Sequence, residues 1–299
     1  MRDVLAEWRP TIDETIEELL PRLIDEAYLE EFFGEPTYRY QSILFLIVVE
    51  ALGAEPEEYL PYACIPEILH NGTIIVDDVE DEARMRRGET ALHHRFGTDI
   101  ALNAGNAMYF IPLKVIDRNA GKLDESQRLA AYEMLTHELN RTHLGQGMDI
   151  CWHNQREITV DERRYYEMCA CKTGCLASIV ARLAAIVTDQ PDAVEGQLAR
   201  YAEEMSIAFQ ISDDILDIEN TLDKAGARLE EILWAEENTD EEIMEAIDIM
   251  QSVEALDYAR ERAEELAASA RGHLDDLDLE PDAEQNLRNF TRFVIERRT

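Results

Sequence analysis

The chain has 299 residues, 46% of them hydrophobic, which is enough material for a substantial core. Its formal net charge of -36 excludes nucleic acid and an anionic membrane surface as tight partners. Lysine is confined to Lys114, Lys122, Lys172 and Lys224, against 24 arginines. So acidic a surface is compatible with a salt-rich cytoplasm, because at molar salt the Debye length is roughly 3 Å.

Apolar residues recur at three- and four-residue spacing, and few stretches alternate with period two, so the expected fold class is all-α. No linker, fixed-period repeat or low-complexity tract interrupts the chain, so residues 1–299 are expected to form one domain. Met1 leads into an acidic amphipathic segment, so no signal peptide is expected, and no apolar run approaches the length of a membrane span. Cys64, Cys151, Cys169, Cys171 and Cys175 fit no zinc spacing and read as free thiols of a cytosolic protein.

In chain order, residues 3–30 predict a helix pair broken near Pro10 and Pro21, and 38–53 a strongly apolar helix. Residues 60–82 predict a third helix, ending in Asp77-Asp78-Val79-Glu80-Asp81. This D-D-x-x-D stretch puts two or three carboxylates on one helical face, an arrangement that repels itself unless a cation is present. Helices are expected over 90–120 and 125–152, the latter containing Gly145-Gln146-Gly147-Met148-Asp149. Lys172 and Thr173 fall within another apolar helix. A helix starting near Pro191 closes on a second D-D-x-x-D, Asp213-Asp214-Ile215-Leu216-Asp217, and a loop with Lys224 and Arg228 follows. In so acidic a chain one such motif reads as a solvated face. Two copies in apolar surroundings point instead to Mg²⁺, which suits oxygen ligands and shares its remaining sites with phosphates.

These motifs resemble the trans-type polyprenyl diphosphate synthases, over essentially the whole chain. The resemblance implies an isoprenoid-synthase helical bundle around a central apolar cavity. The family pattern D-D-x-x-D-x-x-x-x-R-R-G is met position by position through Arg86, Arg87 and Gly88. Gly145 to Asp149 resembles the family's G-Q-x-x-D, and Lys172-Thr173-Gly174 its K-T-G/A. The implied metal ligands are Asp77, Asp81, Asp213 and Asp217, with Asp78 and Asp214 completing the catalytic motifs and three Mg²⁺ ions expected. Arg39, His70, Arg86, Arg87, Lys172, Thr173 and Gln210 are the implied substrate-binding residues. Paired arginines and a lysine offer forked and point-charge donors to diphosphate oxygens. The sequence departs from the family at Pro36 and Thr37, where basic residues stand in the acceptor loop, and again after Asp217.

The implied reaction ionises an allylic diphosphate and joins it to isopentenyl diphosphate, releasing pyrophosphate. Thr73 and Gly72, four and five residues before the first motif, are small where bulky residues cap the product, while Met108 and Tyr109 are expected to close the tunnel lower down. That favours a C20 product. A homodimer is expected. The departures at Pro36 and Thr37 also leave open a same-fold enzyme acting on a single prenyl diphosphate. A non-catalytic subunit of a heteromeric synthase is the third alternative.

Overall fold

A computed structural model describes the backbone of residues 2–23, 39–119, 121–154, 160–233 and 239–296. Eleven α-helices make up nearly all of it: α1 (Arg2–Leu23), α2 (Tyr40–Ala51), α3 (Leu60–Glu80), α4 (Leu92–Phe96), α5 (Thr98–Arg118), α6 (Glu125–His153), α7 (Glu162–Cys169), α8 (Cys175–Val187), α9 (Asp192–Leu233), α10 (Asp240–Gly272) and α11 (Pro281–Glu296). The all-α expectation therefore holds.

α2 is buried almost all round, from Ile43 to Val49 and at Ala51, and α3, α8 and α11 pack against it. A helix that is apolar on every side needs such enclosure. The main core gathers Ile12 and Ile16 of α1, Ile65, Ile68 and Leu69 of α3, and the apolar faces of α5, α6, α8, α9 and α11. A second cluster joins Met168 and Cys169 to α9 and α10. There Ile207, Ile211 and Ile215 form a buried stripe at four-residue spacing. That stripe fixes the rotation of α9, turning Asp213 away from the cluster and leaving Gln210 and Asp214 on its flank.

Several boundaries differ from the sequence expectation. α1 runs unbroken through Pro10 and Pro21. Burial of Ile12 and Ile16 offsets the hydrogen bonds those prolines cannot donate. The helix expected over 90–120 is divided at Gly97, whose φ of 95° no L-residue adopts easily. α9 does not stop at the second motif but continues as helix to Leu233, because no proline interrupts it and Gly226 is carried within it. The expected loop after Asp217 is thus helical backbone, while the side chains of Asp217, Lys224 and Arg228 lie outside the described residues. Pro36 and Thr37 lie outside them too.

Two local features were not anticipated. Met85–Arg86 (β1) and Glu89–Thr90 (β2) pair as an antiparallel hairpin. Its two-residue turn holds Arg87 at φ 53° and Gly88 at φ 88°, the positive angles that a tight hairpin of matching twist demands. Between α7 and α8, residues Ala170–Gly174 form one turn of π-helix.

Candidate active site

α3 ends in acid. Asp77, Asp78 and Glu80 occupy its last turn and Asp81 is its C-cap residue. The C-terminal end of a helix already carries partial negative charge, so this placement is unfavourable without cations. Two side chains supply them. Arg86, carried by the hairpin, donates from Nε to Asp78 Oδ1 at 2.6 Å and lies 3.4 Å from Asp77 Oδ2. Burial works against its charge, but Asp78, Asp77 and Asp81 outweigh that, and its pKa is raised. Lys172 reaches in from the π-turn, donating to Asp149 Oδ2 at 2.5 Å and to Asp77 Oδ1 at 3.2 Å. Its pKa too is raised, with Asp77 and Asp149 prevailing over desolvation.

α6 contributes two further groups that the sequence reading left without a role at this motif. Gln146 Nε2 donates to Asp77 Oδ1 and to Glu80 Oε2, both at 2.9 Å. Asp149, three residues on, is the second anchor of Lys172. Their i, i+3 spacing, which puts both on one helical face, was the available signal.

The π-turn serves both motifs through adjacent residues. While Lys172 engages Asp77, Thr173 donates from Oγ1 to Gln210 Oε1 at 2.9 Å. Gln210 Nε2 in turn donates to Asp214 Oδ1 at 2.9 Å, and Tyr165 of α7 donates to Asp214 Oδ2 at 2.5 Å. A π-turn widens the helix by one residue and is a recurrent device at functional sites. Here it directs two neighbouring side chains to two different helices.

A third group of residues gathers around Glu67 of α3 and Arg87 of the hairpin turn. Glu67 is buried, with Asn71 donating to its Oε1 at 3.2 Å and Arg39 Nη1 lying 3.6 Å away. Arg87 stands close enough to feel Glu67, Arg86 and Arg39. It is exposed, has no hydrogen-bond or ion-pair partner among the described residues, and desolvation lowers its pKa. The His70 Nδ1 is buried and has no hydrogen-bond partner among the described residues. Desolvation, with Arg87 and Arg86 nearby, pushes its pKa down against the pull of Glu67. Arg39 differs from its expected placement. Only 4% exposed, it donates from Nε to Asp13 at 2.7 Å, so it backs this cluster rather than lining its mouth.

The chain-length positions are also placed differently. Gly72 leaves no open space, because a Cβ there would stand 2.8 Å from Met108 Cβ and 3.0 Å from the Gly105 carbonyl of α5. Its small size is consumed by the crossing of α3 and α5, and Met108 is the residue that fills it. Tyr109 packs its ring edge-on to His143 at 5.0 Å, within electrostatic reach of Glu80 and Asp77. It therefore sits at the level of the first motif rather than below it. Thr73 is half-buried, its hydroxyl donating to the His70 carbonyl at 2.8 Å.

The donors that could hold a metal are all carboxylates. Among the described residues no three His, Cys, Asp or Glu side chains converge closely enough to cage an ion unaided. Carboxylate oxygens suit Mg²⁺, which is held by one or two of them together with waters and substrate phosphates. A cavity of about 500 Å³ between α6, α8 and α9 contains neither motif; it is lined by Glu138, Arg141, Arg182, Glu195 and Glu203. Buried Glu138 accepts from Arg182 at 2.6 Å and Arg141 at 2.9 Å, and Arg141 continues to Glu203 at 2.8 Å. Glu203 then packs behind the π-turn, 2.9 Å from where a Cβ on Gly174 would be. This ion-pair network is a support for the turn.

An all-α bundle with an acidic helix end faced by a lysine and an arginine, and a second acidic motif tied to the same turn, defines an enzyme acting on diphosphates with Mg²⁺. Residues 24–232 match the polyprenyl synthetase family, and the chain belongs to that family. It is a prenyltransferase, whose substrates are prenyl diphosphates. It is 28% identical to the geranylgeranyl pyrophosphate synthase of Geoglobus acetivorans, covering 99% of this chain and 98% of that one. With the geranylfarnesyl diphosphate synthase of Natronomonas pharaonis it shares 27% identity, again over 99% and 98% of the two chains. A solved structure of the Geoglobus acetivorans geranylgeranyl pyrophosphate synthetase superposes with a TM-score of 0.81, covering 98% of this chain and 100% of that one at 28% identity.

Proposed function

We propose that the protein condenses an allylic diphosphate with isopentenyl diphosphate to give a C20 prenyl diphosphate and pyrophosphate. The observation that carries this reading is Lys172 held between Asp77 of α3 and Asp149 of α6, with Arg86 on the other side of Asp77. Cations and carboxylates interleaved in this way match a diphosphate bound together with metal ions.

In this reading Asp77, Asp81, Asp213 and Asp217 would hold three Mg²⁺ ions, which supply positive charge to the departing diphosphate. Lys172 and Arg86 donate to its oxygens and keep the leaving group on the motif side. Such preorganised donors act as charge develops and are worth several kcal/mol in the transition state. Arg87, at the tip of the hairpin and without an ion-pair partner among the described residues, and His70 beside it are assigned the diphosphate of the C5 acceptor. Arg39 and Glu67 hold that cluster in place. Of the two chain-length positions on α3, Thr73 keeps that role, since Gly72 is filled by Met108.

The whole chain acts as one domain in this proposal, in the cytosol, where its five unpaired cysteines remain reduced. It pairs as a homodimer through α5 and α6, where Phe110 and Leu144 are each 67% exposed.

The test is incubation in molar KCl with Mg²⁺ and a C15 allylic diphosphate, with and without labelled isopentenyl diphosphate. Label entering a C20 diphosphate only when both substrates are present is the expected result. Pyrophosphate release without the acceptor would overturn it in favour of a single-substrate enzyme, and absence of turnover across C5 to C20 allylic substrates would assign a non-catalytic subunit.

A further inference from the structure

The second aspartates of the two motifs share a property. Asp78 is taken up by Arg86, and Asp214 has one oxygen engaged by Gln210 and the other by Tyr165. Each of these carboxylates is thus tied to at least one protein donor. For Asp214 the donors also form a directional chain. An ionised carboxylate only accepts, so it compels Gln210 to present its NH₂ group and turns the amide carbonyl towards Thr173. That carbonyl in turn takes the single hydroxyl proton of Thr173, at 2.9 Å. Thr173 is left with lone pairs alone to offer, next to the cation of Lys172.

At the other end, Tyr165 is held from both sides. Its hydroxyl donates to Asp214 and contacts the buried Cys169 thiol, while α7 and α9 meet around the same cluster. Burial and the Asp214 bond push its pKa far up, so it keeps its proton. The Thr173 carbonyl is also satisfied, accepting from Ser206 at 3.3 Å.

We propose that Tyr165 is a positioning residue: by holding Asp214 in one orientation it fixes the Gln210 amide, and through it the hydroxyl polarity of Thr173. A diphosphate is then accepted by Lys172 and refused by Thr173, which fixes the side of the π-turn on which the leaving group lies. This inference rests on the proposed function for what it does to turnover, but not for what it does to the turn.

The test uses the full chain with Tyr165→Phe, Gln210→Leu and the double variant. Tyr165→Phe is expected to lower kcat about tenfold while the allylic KM and the Mg²⁺ half-saturation change less than twofold. In the Gln210→Leu background it is expected to cost nothing more, because both act on one chain of bonds. Independently of turnover, hydrogen exchange of the amides of residues 170–174 should quicken several-fold in Tyr165→Phe, with α8 unchanged. Additive losses, an Mg²⁺ half-saturation that rises as far as kcat falls, or unchanged exchange in the turn would each overturn the proposal. A wild-type protein that fails the prenyl-transfer assay but still shows the exchange change would overturn the proposed function alone.

Discussion

Gly145 of α6 lies directly against the peptide that joins Cys171 to Lys172. A Cβ at position 145 would stand 2.2 Å from the Lys172 backbone nitrogen and 2.6 Å from the Cys171 carbonyl carbon. Both atoms are backbone, so neither can step aside without moving the turn. Gly145→Ala is expected to cost about 2 kcal/mol of stability by overpacking. It should also reduce turnover more than tenfold, since Lys172 leaves Asp77. A melting curve and a prenyl-transfer rate measured on the same preparation check both.

Glu138 is 2% exposed and stands between two arginines, Arg141 and Arg182. Removing it strands partly buried cations, for which the expected loss is about 3 kcal/mol. Chemical denaturation of Glu138→Ala tests this. Because Glu203 braces the π-turn from the same network, the variant should also lose activity at temperatures where it is still folded.

Position 73, rather than 72, is where bulk should shorten the product. Thr73→Phe is expected to shift the product from C20 to C15 with the fold intact. Gly72→Phe would meet Met108 and the α5 backbone and is expected to unfold the protein or leave it insoluble. Chromatography of the labelled products, beside a melting curve for each variant, distinguishes the two.

His70 is held neutral, below its ordinary value of 6.5, because burial and the nearby arginines disfavour its charged form. A group whose folded pKa is lowered contributes stability above its unfolded pKa and loses it as pH falls towards the folded one. The protein should therefore lose stability on acidification from about pH 6.5 downwards more steeply than His70→Gln. Melting temperatures of both proteins from pH 8 to about pH 5 measure the difference.

Much of this site was legible before the structure because carboxylates at i, i+1 and i+4 have few other uses in apolar surroundings. The family spacing carried Arg86, Arg87, Lys172 and Thr173 with them. What spacing could not show is which partner each residue takes. Arg86 and Arg87 read as one phosphate pair, but the hairpin turn sends them to different clusters. Gly72 read as empty space, because only the crossing of α3 and α5 reveals what occupies it. Tyr165 had no signal at all. It lies 49 positions from Asp214, and nothing local to α7 marks it. The extent of α9 was missed for a simpler reason: a motif was taken for a boundary.

The π-turn also fixes an arithmetic of chain length. One residue more than an α-turn requires is accommodated between Ala170 and Gly174, so α7 and α8 run on the same path but out of phase. Each residue of an α-helix advances the face by about 100°. Deleting one residue here would restore an ordinary helix, yet it would swing either Tyr165 away from Asp214 or the apolar face of α8 away from α2. The segment tolerates exchange of side chains far better than any change in their number.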